Sequence, residues 1–169
     1  MKKFFTKKSN LITLVILLLF IWRQAPLLMK NFQNEGVKLN PQLQEVIFSP
    51  DGLTEIQFPP LDAKIITIFW ATWCGPCKVE MGRLQTSVKE GKIKSSQIIA
   101  IDPFEDQVTI KKFLAKEPYD FTFVHAPKVV HALNIEVTPT TLFIDRGEIT
   151  NMSSGMSLIG IWRAELFLK

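Results

Sequence analysis

Two cysteines three residues apart, Cys74 and Cys77 in FWATWCGPCK (69–78), are the groups best suited to chemistry in this chain, which has no other cysteine. Only a thiolate attacks a disulfide, so such a pair works if its surroundings stabilise negative charge on one sulfur. The first thiolate forms a mixed disulfide with a partner, and the second resolves it by attacking the first. Two other uses compete. A structural bridge across so short a loop contributes little to stability. A metal site ordinarily takes four ligands, yet there is no second CxxC, and only His125 and His131 stand by as nitrogen donors. The balance favours a redox pair with no metal and no organic cofactor.

The elements around the pair can be read from periodicity. KIITIFW (64–70) is β-branched and nearly all apolar, as expected of a strand buried on both faces. A helix is predicted from Cys74 to about Val88, with Met81, Leu84 and Val88 on one side and Gly91 as a stop. Cys74 therefore opens a helix, whose N-terminus favours a thiolate, and Cys77 lies one turn on, within disulfide reach. Gly75 permits close approach of a substrate chain, and Pro76 suits a first helical turn.

Upstream, LQEVIF and LTEIQF flank Pro50-Asp51-Gly52 and predict a hairpin, which Pro59-Pro60 closes. Downstream come a strand in SQIIAID and a helix over 105–116 with Val108, Phe113 and Leu114 apolar. FTFV reads as a short strand and APKVVHAL as a short helix. TTLFID and EITNM form a hairpin about Asp145-Arg146-Gly147-Glu148, and a helix spans Ser157 to Lys169. The order β-α-β-α-β-α-β-β-α implies an α/β domain with a parallel core and right-handed crossovers.

Six of the twenty basic residues lie in the first thirty positions, which hold no acid, so the remainder carries 14 basic against 16 acidic residues. A nucleic-acid partner would need basic charge on the folded domain, and that reading is set aside. Four of those six, all lysines, precede LITLVILLLFIW (11–22), a 12-residue apolar core. That is shorter than the ~20 residues that span a bilayer, but continuation to Met29 with a snorkelling Arg23 can extend it. An uncleaved signal-anchor is expected, against a cleaved signal or a buried helix, because no small-x-small cleavage site follows. The leading lysines keep the N-terminus cytoplasmic and send the domain outside, where a stable disulfide is permitted and a reduced pair needs an electron supply. The expected organisation is a tip and membrane anchor (1–30), a linker (31–42) and a folded domain (43–169).

WCGPC together with VTPTTLFID resembles the thioredoxin fold, and the wider pattern over about residues 43–169 resembles the membrane-anchored TlpA/ResA/DsbE group of thiol–disulfide oxidoreductases. The resemblance implies a central mixed sheet flanked by helices, preceded by the hairpin. It also implies that Val137–Thr140 faces the cysteines, with Thr138-Pro139 cis, so that the Thr138 backbone can pair with an extended substrate. The sequence alone leaves open a proline that merely starts an edge strand. Glu80 matches a glutamate that handles protons in reductive members; read alone, it is equally a solvated helix residue. Trp73 is expected at a docking rim and Trp70 in the core. Ile68 departs from the pattern, standing where thioredoxins place an aspartate, so proton transfer shifts to Glu80 or water.

The activity that the resemblance implies is reduction of protein disulfides, with apocytochrome c as a client and a membrane protein as the electron donor. A disulfide-forming oxidant and a non-enzymatic metal-binding or interaction module are the alternatives. A thiol peroxidase is disfavoured, since no cysteine lies outside the pair.

Overall fold

The computed structural model describes residues 12–22, 45–48 and 55–169, with the backbone alone described at 45–48 and 55. Its organising strand is β3 (Lys64–Phe69), in which five consecutive residues after Lys64 are buried. A strand that is apolar on both faces must be covered on both. It is therefore central in a five-stranded sheet of order β5-β4-β3-β6-β7. Strands β4 (Ile98–Asp102) and β5 (Thr122–His125) run parallel to β3, whereas β6 (Thr140–Asp145) is antiparallel to it on the other side, and β7 (Glu148–Ser154) closes that edge as a hairpin.

Alternation along β3 splits the core in two. Ile65 and Phe69 join Ile99, Ile101 and Val124 beneath the short helix α4 (Pro127–Ala132). Ile66, Ile68 and Trp70 face the opposite way, with Ile98 and Ala100, against α2 (Gly75–Lys89), α3 (Gln107–Leu114) and α5 (Gly160–Phe167). The leading strands β1 (Glu45–Phe48) and β2 (Glu55–Phe58) pair antiparallel, with Phe48 opposite Glu55. Phe58 at the end of β2 is fully buried in the α4-side core. This is the expected α/β thioredoxin-like fold. The expected turn residues Pro50-Asp51-Gly52 and the linker 31–42 lie outside the described residues.

Two details differ from the sequence reading. In α3 the inward residue is Ile110, fully buried, whereas Val108 is exposed. The helix starts at Gln107, with Asp106 as its cap, and residues 108 and 110, two apart, fall on opposite faces of it. The last helix begins at Gly160 rather than Ser157, because 157–159 instead fold over α2, where the Ser157 carbonyl accepts from Arg83 Nη1 (3.3 Å).

Residues 12–22 form a further helix, α1, with apolar side chains exposed from Ile12 to Trp22. Among the described residues no helix is long and apolar enough to cross a membrane; the rest of the expected anchor lies outside them.

The core assignment has a direct check. Ile66→Ala should destabilise the domain by about 2–5 kcal/mol in urea denaturation, since it empties a fully buried site. Val108→Ala should change stability by no more than about 0.5 kcal/mol.

Candidate active site

The cysteine pair sits where the sheet hands its chain to a helix. Beyond β3, Trp70 N–H still bonds to the Ile101 carbonyl (3.0 Å), and both Trp70 and Ala71 are fully buried. The chain then turns, with Cys74 N–H on the Ala71 carbonyl (3.0 Å), and enters α2 with Cys74 as its N-cap. Cys74 and Cys77 are joined in a disulfide, with Cα atoms 5.3 Å apart. The Cys74 sulfur accepts the Cys77 backbone N–H at 3.2 Å. A helix N-terminus leaves such N–H groups without intrahelical partners, so the donor that would hold a Cys74 thiolate is already in place.

Access to the two sulfurs is unequal in kind. Cys74 retains 4% exposure and Cys77 none, while Gly75 and Pro76 between them are exposed. A Cβ built on Gly75 would meet no atom within 4 Å, so the approach there is open. Trp73 projects with 68% of its surface exposed and lies against Phe104, ring centroids 6.1 Å apart. Trp70 is wholly internal, packed on Phe113 and Phe123.

Thr138 and Pro139 reach this end of the sheet through strand register. Phe69, the last residue of β3, is opposite Thr140, the first of β6, so the chain before β6 emerges beside the turn that leads to Cys74. The Thr138-Pro139 bond is cis. Pro139 is buried and its carbonyl accepts from Gly155 N–H (2.7 Å); the Thr140 hydroxyl bonds the Val137 carbonyl (2.8 Å). Among the described residues the Thr138 backbone has no hydrogen-bond partner, which leaves it available to an extended chain.

Glu80 is not a solvated helix residue. It is buried, three residues after Cys77 on the inward side of α2, and its Oε2 has no hydrogen-bond partner. Burial raises its pKa above the ordinary carboxylate range, against the opposing pull of Arg83 and the Ser157 N–H. The start of α5 presses on it so closely that a Cβ at Gly160 would come within 2.8 Å of Glu80 Oε1. Ile68 is fully buried and supplies no proton acceptor.

The structure adds two carboxyl groups that sequence reasoning passed over. Asp102 ends β4, fully buried; its Oδ1 accepts the N–H groups of Phe104 (2.8 Å) and Glu105 (3.1 Å), and its Oδ2 is unpartnered. Burial, with Glu105 beside it, pushes its pKa up to about 7. Glu105 accepts both the backbone N–H (2.5 Å) and the hydroxyl (2.6 Å) of Thr72, two residues before Cys74. The signal was the acid ending an otherwise apolar strand, IIAID. Among the described residues no group of His, Cys, Asp and Glu side chains could hold a metal ion.

A family model described as the AhpC/TSA family matches residues 52–152. A protein named thiol-disulfide oxidoreductase ResA from Oceanobacillus iheyensis is 35% identical over 124 residues, which is 68% of this chain and 61% of that protein. One of the same name from Bacillus cereus is 27% identical over 148 residues, covering 83% of this chain and 84% of that one. The crystal structure of StoA from Bacillus subtilis superposes with a TM-score of 0.63 at 21% identity, over 74% of this chain and 96% of that chain. That last likeness bears on the fold alone.

The raised pKa of Asp102 sets a sign for its effect on stability. Its carboxyl stays protonated to about pH 7 in the folded protein, while the unfolded chain releases the proton near pH ~3.9. Between those values the folded state binds more protons, so this group's contribution is full below the lower value and lost as pH rises through the upper one. Asp102→Asn keeps the Oδ1 acceptor and removes the titration. In urea denaturation the variant should gain stability relative to the parent as pH rises from 4.5 to 7.5; a constant difference across that range would contradict the assignment.

Proposed function

As the chain belongs to the AhpC/TSA family, we propose that it is a thiol–disulfide oxidoreductase acting on protein substrates through Cys74 and Cys77, and that it works as a reductant. The observation that carries this reading is the disulfide at the start of α2, with the Cys77 N–H already on the Cys74 sulfur. The shared name of the ResA proteins supports it.

In the reductive cycle the Cys74 thiolate attacks one sulfur of a client disulfide. That S–S bond breaks, a mixed disulfide forms, and the departing client thiolate takes up a proton. Cys77 then gives up its proton and attacks the Cys74 sulfur, releasing the second client thiolate. Two electrons have passed to the client, and the pair is left as the Cys74–Cys77 disulfide. Glu80, three residues from Cys77 and with a raised pKa, is suited to accept the Cys77 proton and pass it to the leaving thiolate. Trp73 and the open backbone at Gly75 and Pro76 form the docking rim, and Thr138, held by Pro139, pairs with the client chain.

The reading extends to placement. The basic N-terminus and the apolar run from Leu11 favour a single-pass anchor with the domain on the extracytoplasmic side. A reductant there needs a membrane electron donor to regenerate its thiols. An apocytochrome c, whose paired cysteines must be reduced before haem attachment, is a client consistent with this placement.

Cys77→Ser should accumulate a mixed disulfide with a protein substrate, visible as a band lost on reduction, whereas Cys74→Ser should accumulate none. Glu80→Gln should slow release of the mixed disulfide by about tenfold or more while affecting its formation less. Equal trapping by both cysteine variants would contradict the division of roles.

A further inference from the structure

The loop after β4 is built to hold the turn that carries the nucleophile. Its base is Asp102, a fully buried carboxyl that receives the N–H groups of Phe104 and Glu105. A second contact fixes the same point: His125 Nδ1 lies 3.1 Å from the Asp102 carbonyl. The far end is tied by Asp106, whose Oδ1 caps α3 through Thr109 N–H (2.7 Å). Between these ties two side chains reach across to the cysteine turn. Glu105 takes both donors of Thr72, and the Phe104 ring meets that of Trp73.

We propose that Glu105 is a positioning residue for the redox pair: by holding Thr72 through two hydrogen bonds it fixes Trp73 against Phe104 and so sets Cys74 and the docking rim in one orientation. This inference rests on the function proposed above. Thr72, Trp73 and Cys74 are consecutive, so the clamp controls the direction in which the rim and the sulfur point together. A protein disulfide must satisfy the rim contact and the line of sulfur attack at once, and small errors in such alignment cost rate steeply. A small disulfide needs only a thiolate it can reach. Loss of the clamp should therefore fall on protein substrates selectively. The bond requires an acceptor at 105 and a hydroxyl at 72, which sets the variants that test it.

The test compares the full-length protein with Thr72→Val, Thr72→Ser and Glu105→Ala. Second-order rates would be measured for reduction of insulin and of a small aromatic disulfide, dithiobis(nitrobenzoate), with thermal midpoints as a check on folding. Thr72→Val and Glu105→Ala should lower the ratio of the insulin rate to the small-disulfide rate by about tenfold, and Thr72→Ser, which keeps the hydroxyl, should restore it. Unchanged ratios in Thr72→Val and Glu105→Ala would overturn the proposal, as would a loss shared equally by both substrates or a failure of Thr72→Ser to rescue. An unmodified protein inactive towards both substrates would instead overturn the reductase reading, and this inference with it.

Discussion

The arrangement depends on one junction, the passage from β3 into α2 across five residues. A sulfur at a helix N-terminus gains from the unpaired N–H groups there only if that terminus cannot move relative to the sheet. Here the sheet side is held by Trp70, which is fully buried, wedged between Phe113 and Phe123, and bonded to the Ile101 carbonyl. The helix side is held by Met81 and Leu84 in the same core. Register then brings the chain ahead of β6 to the same end of the sheet. The open Gly75 approach, the exposed Trp73 and the unpaired Thr138 backbone surround a disulfide that is itself almost wholly buried.

Charge is handled unusually for an interior. Cytosolic thioredoxins, which this site resembles, place an aspartate six residues before the first cysteine, and this chain has the fully buried Ile68 there, so no carboxyl lies at that point of the strand beneath the pair. Its buried carboxyl groups lie to either side: Glu80 inside α2, and Asp102 at the end of the neighbouring strand. Each leaves one oxygen unpartnered, and burial favours the protonated form in each. A carboxyl whose pKa is raised by burial opposes thiolate formation less than a fully ionised one would, and once ionised it takes up a proton more readily. Because both groups resist ionisation, they weaken the fold as pH rises through their titration, which is the characteristic cost of placing titratable groups in a core.

Much of this was legible in the sequence where the pattern is dense. The continuous apolar run at 64–70 and the strand read in SQIIAID identified the central strands, and Cys74 followed by Gly75-Pro76 marked a helix start. The cis Thr138-Pro139 bond came from the resemblance, not from the residues. What escaped was set by three-dimensional neighbours. Val108 and Ile110 differ by two positions and so lie on opposite faces of a helix, and only packing against the sheet decides which face turns inward. Ser157 to Ile159 have the composition of a helix start, but Arg83 on another element holds the Ser157 carbonyl. Glu80 could not be told from a solvated glutamate until the segment before α5 was seen to cover it. Asp102 and Glu105 carry no spacing signal linking them to Thr72, which lies 33 positions from Glu105 and is joined to it only by sheet topology.

The central claim is that this site delivers electrons rather than accepting them, and the reduction potential of the Cys74–Cys77 pair tests it most directly. Equilibration of the purified protein with a thiol redox buffer at pH 7 should give a value near or below about −250 mV, in the thioredoxin range. A value above about −150 mV, towards the strongly oxidising end, would contradict the account and make the protein a disulfide donor.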